Sequence, residues 1–169
     1  MGDYLRNCTE RFDLVFSSFA LHHLTTEEKG EVFRQVSRSL RPGGVFLLVD
    51  VVRHEDESHD AHLQAACDWM RKEWHDFSPE EMATICDHVT GNDLPETVIT
   101  LARRATAAGL SAPEPVNQYR WLHILAFGKT PGRDAQLSLS YRLSTISTTI
   151  RRTMYHSTRS AWRWFTRSR

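Results

Sequence analysis

Two adjacent histidines, His22 and His23, are the residues of this sequence best suited to chemistry near neutral pH. Neutral imidazole accepts protons and binds divalent metals in that range. Adjacent residues of a loop rarely direct their side chains at one ion, and no other Cys or His stands nearby at a ligand spacing. We therefore predict no metal at this pair and consider His22 and His23 candidate catalytic bases or substrate contacts.

A second group of possible metal ligands follows in a polar segment that contains His54, His59 and His62. The acidic residues between these histidines are Glu55, Asp56, Glu57 and Asp60. Imidazole and carboxylate are the ligand types that a divalent metal uses. A solvated, charged loop leading into a helix has the same composition, and we predict such a loop here.

Further candidates lie where a substrate would approach. Asp50 closes a long apolar run, and His88 lies on a predicted helix together with an apolar face. We expect Asp50 and His88 on the substrate side of a pocket, with Trp69 and Trp74 either lining that pocket or packing in the core. Aspartates at strand ends also cap the following turn, so both roles stay open for Asp50.

The elements that must position these residues form one βαβ unit between Phe12 and Asp50. An apolar run from Phe12 to Phe16 predicts a strand buried on both faces. Thr25 and Glu28 have the spacing of a capping box, which starts a helix, and the Pro-Gly-Gly turn at 42–44 ends it. A second strand follows from Val45 to Asp50, and a helical crossover between two strands predicts parallel, right-handed pairing.

The rest of the chain predicts helices and a closing hairpin. One helix runs through residues 61–70, a second starts at Ser78, and a third starts at Pro95. Residues 112–118 and 121–127 are strand candidates, and the short link between them predicts an antiparallel pair.

Composition and charge divide the chain in two. Residues 1–128 hold 12 basic and 20 acidic side chains, whereas residues 129–169 hold 9 basic side chains and one acidic residue, Asp134. We predict a domain over residues 1–129 and a basic Ser/Thr-rich tail over 130–169, either disordered or an amphipathic helix. Such a tail is suited to an anionic membrane or to nucleic acid. Three widely spaced cysteines and the lack of a signal or membrane-spanning pattern predict a cytoplasmic protein.

The order of these motifs resembles the C-terminal half of a class I S-adenosylmethionine-dependent methyltransferase. The matching stretches are FDLVFSSFALHHL, LRPGG, VFLLVD, WHDFSPEEMATICDHVTGNDLPET and AAGL, within residues 2–129. The resemblance implies an α/β fold, a partial Rossmann-like sheet comprising strands four to seven of the usual seven, with helices on both faces. It further implies S-adenosylmethionine as cofactor, a small-molecule methyl acceptor, and cofactor contacts by Asp3, Ser17, Ser18 and Phe19.

One family motif is missing from the sequence. No glycine-rich GxGxG-like turn occurs, although such a turn lets the backbone approach the cofactor closely. We therefore expect an N-terminally truncated enzyme in which the first strand becomes an exposed edge that is open to association. The alternative is a non-catalytic half-domain that serves as partner or scaffold for another methyltransferase-like chain.

Overall fold

A computed structural model of the protein describes residues 9–130, which form four strands and four α-helices. In chain order these are β1 (Phe12–Ser18), a short 3-10 helix (Leu21–His23), α1 (Thr26–Ser39), β2 (Leu40–Val51), α2 (His59–Glu73), α3 (Pro79–Asn92), α4 (Val98–Ala107), β3 (Glu114–Tyr119) and β4 (Leu122–Gly128). Asp3 and the basic tail, apart from its first residue, lie outside the described residues.

The four strands form a single mixed sheet in the order β1-β2-β4-β3. β1 and β2 are parallel, with Ser18 beside Val49, and α1 makes the crossover between them. β4 pairs antiparallel with both β2 and β3. The predicted parallel pair, the predicted hairpin and the α/β class are therefore confirmed.

β2 begins earlier than the sequence predicts, because the glycine turn belongs to the strand. Gly43 adopts φ +77°, and a Cβ on Gly44 would lie 3.0 Å from the carbonyl oxygen of Arg41. The backbone N–H of Gly43 donates to the carbonyl of Lys129 at 3.2 Å, and the N–H of Lys129 donates to the carbonyl of Gly44 at 2.8 Å. The end of β4 thus extends the pairing of β2 through the two glycines.

Local capping signals position the helices. Thr25 and Glu28 form the predicted capping box at α1, and Ser78 and Glu81 form another at α3. α4 begins at Val98 with Thr97 as its N-cap, so the predicted start at Pro95 is wrong. The preceding residues are extended instead, because the N–H of Arg53 donates to the carbonyl of Glu96 at 3.0 Å.

Helices α1 and α4 pack against one face of the sheet. Phe33 of α1 contacts Phe46 and Phe127 of the sheet edge to face, with ring centroids 5.8 Å and 5.2 Å apart. Leu101 and Ala105 bring α4 into the same cluster. On the opposite face, the buried cluster within residues 9–130 consists of strand residues with Phe19 packed against it. Helices α2 and α3 form a separate apolar cluster of their own.

β1 lies at the edge of the described sheet, and its outer side chains are exposed. Leu14 is 47% and Phe16 is 54% exposed. The prediction that this strand is buried on both faces is therefore wrong for the strand as it lies here, because no described element covers those two side chains. Within residues 9–130, none of the helices has the length and apolar character needed to cross a membrane.

Candidate functional site

The carboxylate of Asp50 holds together the carboxyl ends of β1 and β2. One oxygen, Oδ2, accepts from the backbone N–H groups of Leu21 at 2.8 Å and His22 at 3.3 Å. The other, Oδ1, accepts from the N–H of Val51 at 2.9 Å and is also hydrogen-bonded to Nδ1 of His22. Asp50 is only 2% exposed, so these contacts replace the water that a carboxylate otherwise needs. From the sequence we considered capping of the turn that follows Asp50, whereas the turn that Asp50 caps through Leu21 and His22 is the one after β1.

The chain leaves β1 through a turn with an unusual backbone at Phe19. Phe19 has φ +49°, a conformation that is costly for a side chain with Cβ, and its N–H donates to the carbonyl of Val49 at 2.9 Å. Strained residues of this kind often mark ligand sites. Ser17 is buried, and its hydroxyl oxygen has no hydrogen-bond partner among the described residues, whereas Ser18 is exposed.

The two histidines meet Asp93, which caps the C-terminus of α3 and is 70 residues away in sequence. Nε2 of His22 lies 3.9 Å from Asp93 Oδ2, and Nδ1 of His23 lies 3.0 Å from Asp93 Oδ1. The rings of His23 and His88 are 5.6 Å apart. His22 therefore stands between two buried carboxylates, while His23 keeps 26% of its side chain exposed.

Charge governs the protonation of His22. Burial on its own lowers the pKa of this imidazole, but the hydrogen bond and charge of Asp50, aided by Asp93, raise the pKa above its usual value. The ring is thus suited to hold a proton between two carboxylates. Its 2% exposure leaves it little access to a substrate, so His23 is the more accessible of the two candidate bases.

Three of these side chains have the atom types of a metal site. One ligand atom each from His22, His23 and Asp93 lies within 4.8 Å of the others. In this grouping both histidines contact Asp93 and His22 also contacts Asp50, and the absence of a metal here stays a prediction. Asp93 was missed by the sequence analysis because nothing in the local pattern links it to the histidines.

The histidine-rich segment after β2 does not form a metal cluster among the described residues. His59 Nε2 lies 2.9 Å from the carbonyl oxygen of Asp93, and His62 Nδ1 lies 2.9 Å from Glu57 Oε2. His62 is fully buried rather than solvated, so the predicted solvated loop is wrong at this residue. His62 is one of the residues that line a cavity.

A cavity of about 110 Å³ lies beside the Phe19 turn. Much of its wall is formed by ring-bearing side chains. These are Phe19, His62, Trp69, Trp74, Tyr119 and Trp121. Asp93 also lines the cavity and so connects it to the histidine network. The two tryptophans of α2 and its C-cap, Trp69 and Trp74, therefore both line this cavity and pack against the α2–α3 cluster. His88 is near His23 and is not among the residues lining this cavity.

Most of the predicted site residues that the structure describes come together. Ser17, Ser18, Phe19, His22 and His23 follow one another at the end of β1, and Asp50 ties them to β2. Their roles toward cofactor or substrate remain predictions. His62 and Trp121 were missed as cavity residues, because their rings, with centroids 5.8 Å apart, come together only in the tertiary structure.

Comparison with known proteins matches the first part of the chain to a family. A sequence model described as a methyltransferase domain matches residues 5–48, which include β1, the histidine pair, α1 and most of β2. Uncharacterised methyltransferases from Bacillus cytotoxicus and Anoxybacillus flavithermus are 32% and 36% identical over 66 and 67 residues, 38% of this chain. The matched region is 31% and 32% of those relatives, so the chain spans about a third of their length.

Solved structures extend the likeness to most of the described residues. Human N-acetylserotonin methyltransferase in complex with S-adenosylmethionine superposes with a TM-score of 0.55 at 11% identity, covering 77% of this chain and 32% of that protein. CalO1, a methyltransferase in calicheamicin biosynthesis in its S-adenosylhomocysteine-bound form, gives 0.52 at 18% identity, covering 77% and 33%. At such identities the likeness concerns the fold. The fold of the described residues is therefore that of part of a Rossmann-like methyltransferase domain, and residues 5–48 match the methyltransferase-domain model.

Proposed function

We propose that this protein takes part in methyl transfer from S-adenosylmethionine to a small molecule, with the turn from Ser17 to His23 forming one wall of the cofactor crevice. The observation that carries this proposal is the Asp50 carboxylate, which joins the carboxyl ends of two parallel strands to that turn. In open α/β sheets, ligands bind outside the carboxyl ends of the strands.

The residues at this wall fit the cofactor. The buried hydroxyl of Ser17, which has no partner among residues 9–130, can donate to or accept from a polar ligand. The strained Phe19 turn presents backbone groups and an aromatic ring at the same place. Ser18 is exposed and adds a second hydroxyl. Asp3 remains our proposed contact for the adenine amino group, although it lies outside the described residues.

When bound, the cofactor supplies an electrophilic methyl group on a sulfonium. The protein's own residues contribute position and proton handling. Asp50 fixes the turn, the cavity beside Phe19 holds the acceptor, and His23 together with Asp93 takes up a proton where the acceptor must lose one. Alignment of donor and acceptor is the main catalytic contribution that these residues make.

The free edge of β1 supports the idea that this crevice is completed by further strands. Leu14 and Phe16 expose apolar surface there, as a strand does when a neighbouring element is missing. We infer an N-terminally truncated methyltransferase in which the second wall of the crevice comes from outside the described residues.

Free, buried Cys67 and Cys86 fit a reducing compartment such as the cytoplasm.

Calorimetric titration of the full chain with S-adenosylhomocysteine tests the proposal. We expect binding in the micromolar range that is weakened by Phe19→Ala and unchanged by Ile99→Ala, an exposed apolar residue of α4. A transfer assay with isotopically labelled S-adenosylmethionine and a set of small-molecule acceptors then tests turnover. Absence of binding by a folded full chain would contradict the proposal and favour the non-catalytic partner or scaffold.

A further inference from the structure

The sheet has a second apolar face, opposite the one on which α1 and α4 pack. Its side chains alternate along β2 and β4 with those that contact α1. They belong to Val45, Leu47, Val49, Ile124 and Ala126. Leu47 pairs with Ala126 and Val49 pairs with Ile124, so the five side chains form one continuous surface. These five residues are the second face of the sheet.

The burial of the second face requires a covering layer. All five residues are 0–3% exposed. The partly buried apolar residues packed against them are Phe19, Val116 and Leu122, which belong to strands or to the turn after β1, and within residues 9–130 no helix contributes to this cluster. A sheet face becomes buried when another element packs over it. The element that covers the second face therefore comes from outside residues 9–130.

The exposure of β1 shows how far that cover extends. Leu14 lies beside Val45 and Phe16 lies beside Leu47 in the parallel pair, so both project from the same face as the buried residues. They are nevertheless 47% and 54% exposed. The cover thus lies over β2 and β4 and leaves β1 open.

The basic tail has the apolar pattern that such a cover needs. Its large aliphatic side chains recur at spacings of four, three, four and four residues. They are Leu139, Leu143, Ile146, Ile150 and Met154. At 3.6 residues per turn these five positions fall within an arc of about 80° on one side of a helix. Residues 1–8, the other segment outside the described residues, have only Met1 and Leu5 of this kind.

The place where the described chain ends brings the tail to the second face. The N–H of Lys129 donates to the carbonyl of Gly44 at 2.8 Å, and Gly44 directly precedes Val45 of that face. Residues 130–138 can span up to about 30 Å when extended. A helix over residues 139–154 is about 24 Å long, which exceeds the roughly 13 Å that five strand residues occupy. Length and starting point therefore allow the tail to cover β2 and β4.

Charge favours contact of the tail with its own domain. Residues 129–169 hold nine basic side chains and one acidic residue, whereas residues 1–128 hold 20 acidic and 12 basic side chains. Opposite net charges attract the two parts of the chain, and two tails repel each other. The Ser, Thr and Ile residues of the tail lower its intrinsic helix propensity, so a helix there depends on packing of its apolar side.

We propose that residues 139–154 form an amphipathic helix that packs on the second face of the sheet, with its aliphatic side over Leu47 and Ala126. The tail then supplies the helix layer that the sheet lacks on this side among residues 9–130. This role concerns the architecture of the chain and is independent of methyl transfer. It leaves the edge of β1 free for the strands that would complete the cofactor crevice.

Hydrogen exchange of the unmodified full chain, followed by mass spectrometry, tests the proposal. We expect amides of residues 139–154 to exchange at least about tenfold more slowly than those of residues 157–169, because only the former are packed. Equal rates in the two segments would overturn the proposal. So would protection that appears only at high protein concentration, which would indicate a second copy, or only with anionic phospholipid vesicles, which would indicate a membrane surface.

Two pairs of substitutions in the tail show whether its aliphatic side carries the contact. Leu143→Asn with Ile146→Asn should abolish the protection of residues 139–154. Trp162→Asn with Trp164→Asn removes two large apolar side chains from outside the helix and should leave the protection unchanged. Equal effects of the two pairs would contradict packing through the aliphatic side.

Disulfide trapping locates the contact on the sheet. In a Cys8→Ser background, Ala126→Cys is combined with Ile146→Cys, with Ile150→Cys or, as the control on the opposite side of the helix, with Thr148→Cys. After mild oxidation, peptide mapping should find disulfides within one chain for Ile146→Cys or Ile150→Cys, at least about tenfold more than for Thr148→Cys. Equal yields, no disulfide with either isoleucine position, or disulfides only between two chains would overturn the proposal. If Ala126→Cys does not fold, the exchange of the unmodified chain decides.

Discussion

Asp50 and His22 are joined by a buried side-chain hydrogen bond that connects the last residues of β2 to the turn after β1. Each is 2% exposed, and Asp50 also accepts from the backbone of that turn. The pair therefore fixes the position of the proposed cofactor wall as well as stabilising the sheet. A substitution of Asp50 should therefore alter both the position of this turn and the stability of the protein.

Asp50→Asn should lower the free energy of unfolding by about 3 kcal/mol, because it removes the buried carboxylate that is hydrogen-bonded to the His22 ring and to the backbone of the turn. Urea denaturation measures this change. Asp13→Asn is a matched control, since Asp13 pairs with Arg41 at 2.6 Å but both side chains are more than half exposed. We expect at most about 0.5 kcal/mol for the control, and a similar loss in both variants would contradict the role of the buried pair.

The raised pKa of His22 predicts that stability falls as the pH rises above 6.5. The folded protein retains a proton there that the unfolded chain releases, so the contribution of His22 is complete below pH 6.5 and is lost as the pH passes the folded pKa. Asp50, Asp93 and Lys29 are the charged groups that act on this ring.

Urea denaturation at a series of pH values checks this prediction. His62 and His123 have lowered pKa values, so their effect lies below pH 6.5 and has the opposite sign. The decline above 6.5 should flatten in His22→Gln. A wild-type protein whose stability does not change between pH 6.5 and the alkaline end of the series would contradict the assignment.

Local chemistry made much of the fold predictable. Capping boxes at Thr25 and Ser78 depend on residues three positions apart, and the two apolar runs around α1 dictate a parallel pair. The exposure of Leu14 depends instead on which strands lie beside β1. The periodicity of apolar residues in β1 does not indicate which strands those are. The start of α4 likewise depends on a contact with Arg53, more than forty residues earlier.

The candidate site was only half predictable for a similar reason. Residues 17–23 and Asp50 follow strand ends, and strand ends are visible in the sequence. Asp93, at the end of α3, contacts His23. Trp121, just before β4, contacts His62 with ring centroids 5.8 Å apart. Such contacts arise from tertiary packing, which no local pattern encodes.

Lys29 should be more important for stability than a lysine of an α-helix usually is. It is 2% exposed, and its Nζ donates to the carbonyls of Leu24 at 2.5 Å and Leu94 at 2.6 Å. Lys29→Met keeps the length and apolar stem but leaves two carbonyls without a donor, so we expect a loss of about 2 kcal/mol. Denaturant unfolding measures it, with Lys72→Met, an exposed lysine of α2, as the control. Equal stability of the two variants would show that these carbonyls need no donor.

The exposed edge of β1 predicts self-association of the purified chain. Leu14 and Phe16 present apolar surface beside the unpaired strand edge of the described sheet. Leu14→Thr with Phe16→Thr keeps β propensity and removes the apolar surface, so concentration-dependent oligomers seen by light scattering should decrease. Ile99→Thr, which removes a similarly exposed side chain from α4, should leave them unchanged. A wild-type chain that is monomeric at every concentration would rule out this edge as an association surface.

The thiol of Cys67 should be inert while α2 and α3 remain packed. Burial, followed by the interaction with Cys86, raises the pKa of Cys67 to about 12. At pH 8 the thiolate fraction is then about one in ten thousand, and the thiolate is the reactive form. In a Cys8→Ser background, a colourimetric disulfide reagent should modify Cys67 and the buried Cys86 only after denaturation. A cysteine placed at Lys72 on the exposed face of α2 should react at once. Rapid modification of Cys67 in the native chain would mean that α2 and α3 separate readily, and the cavity beside Phe19, whose lining includes Met70 and Val89, would then open with them.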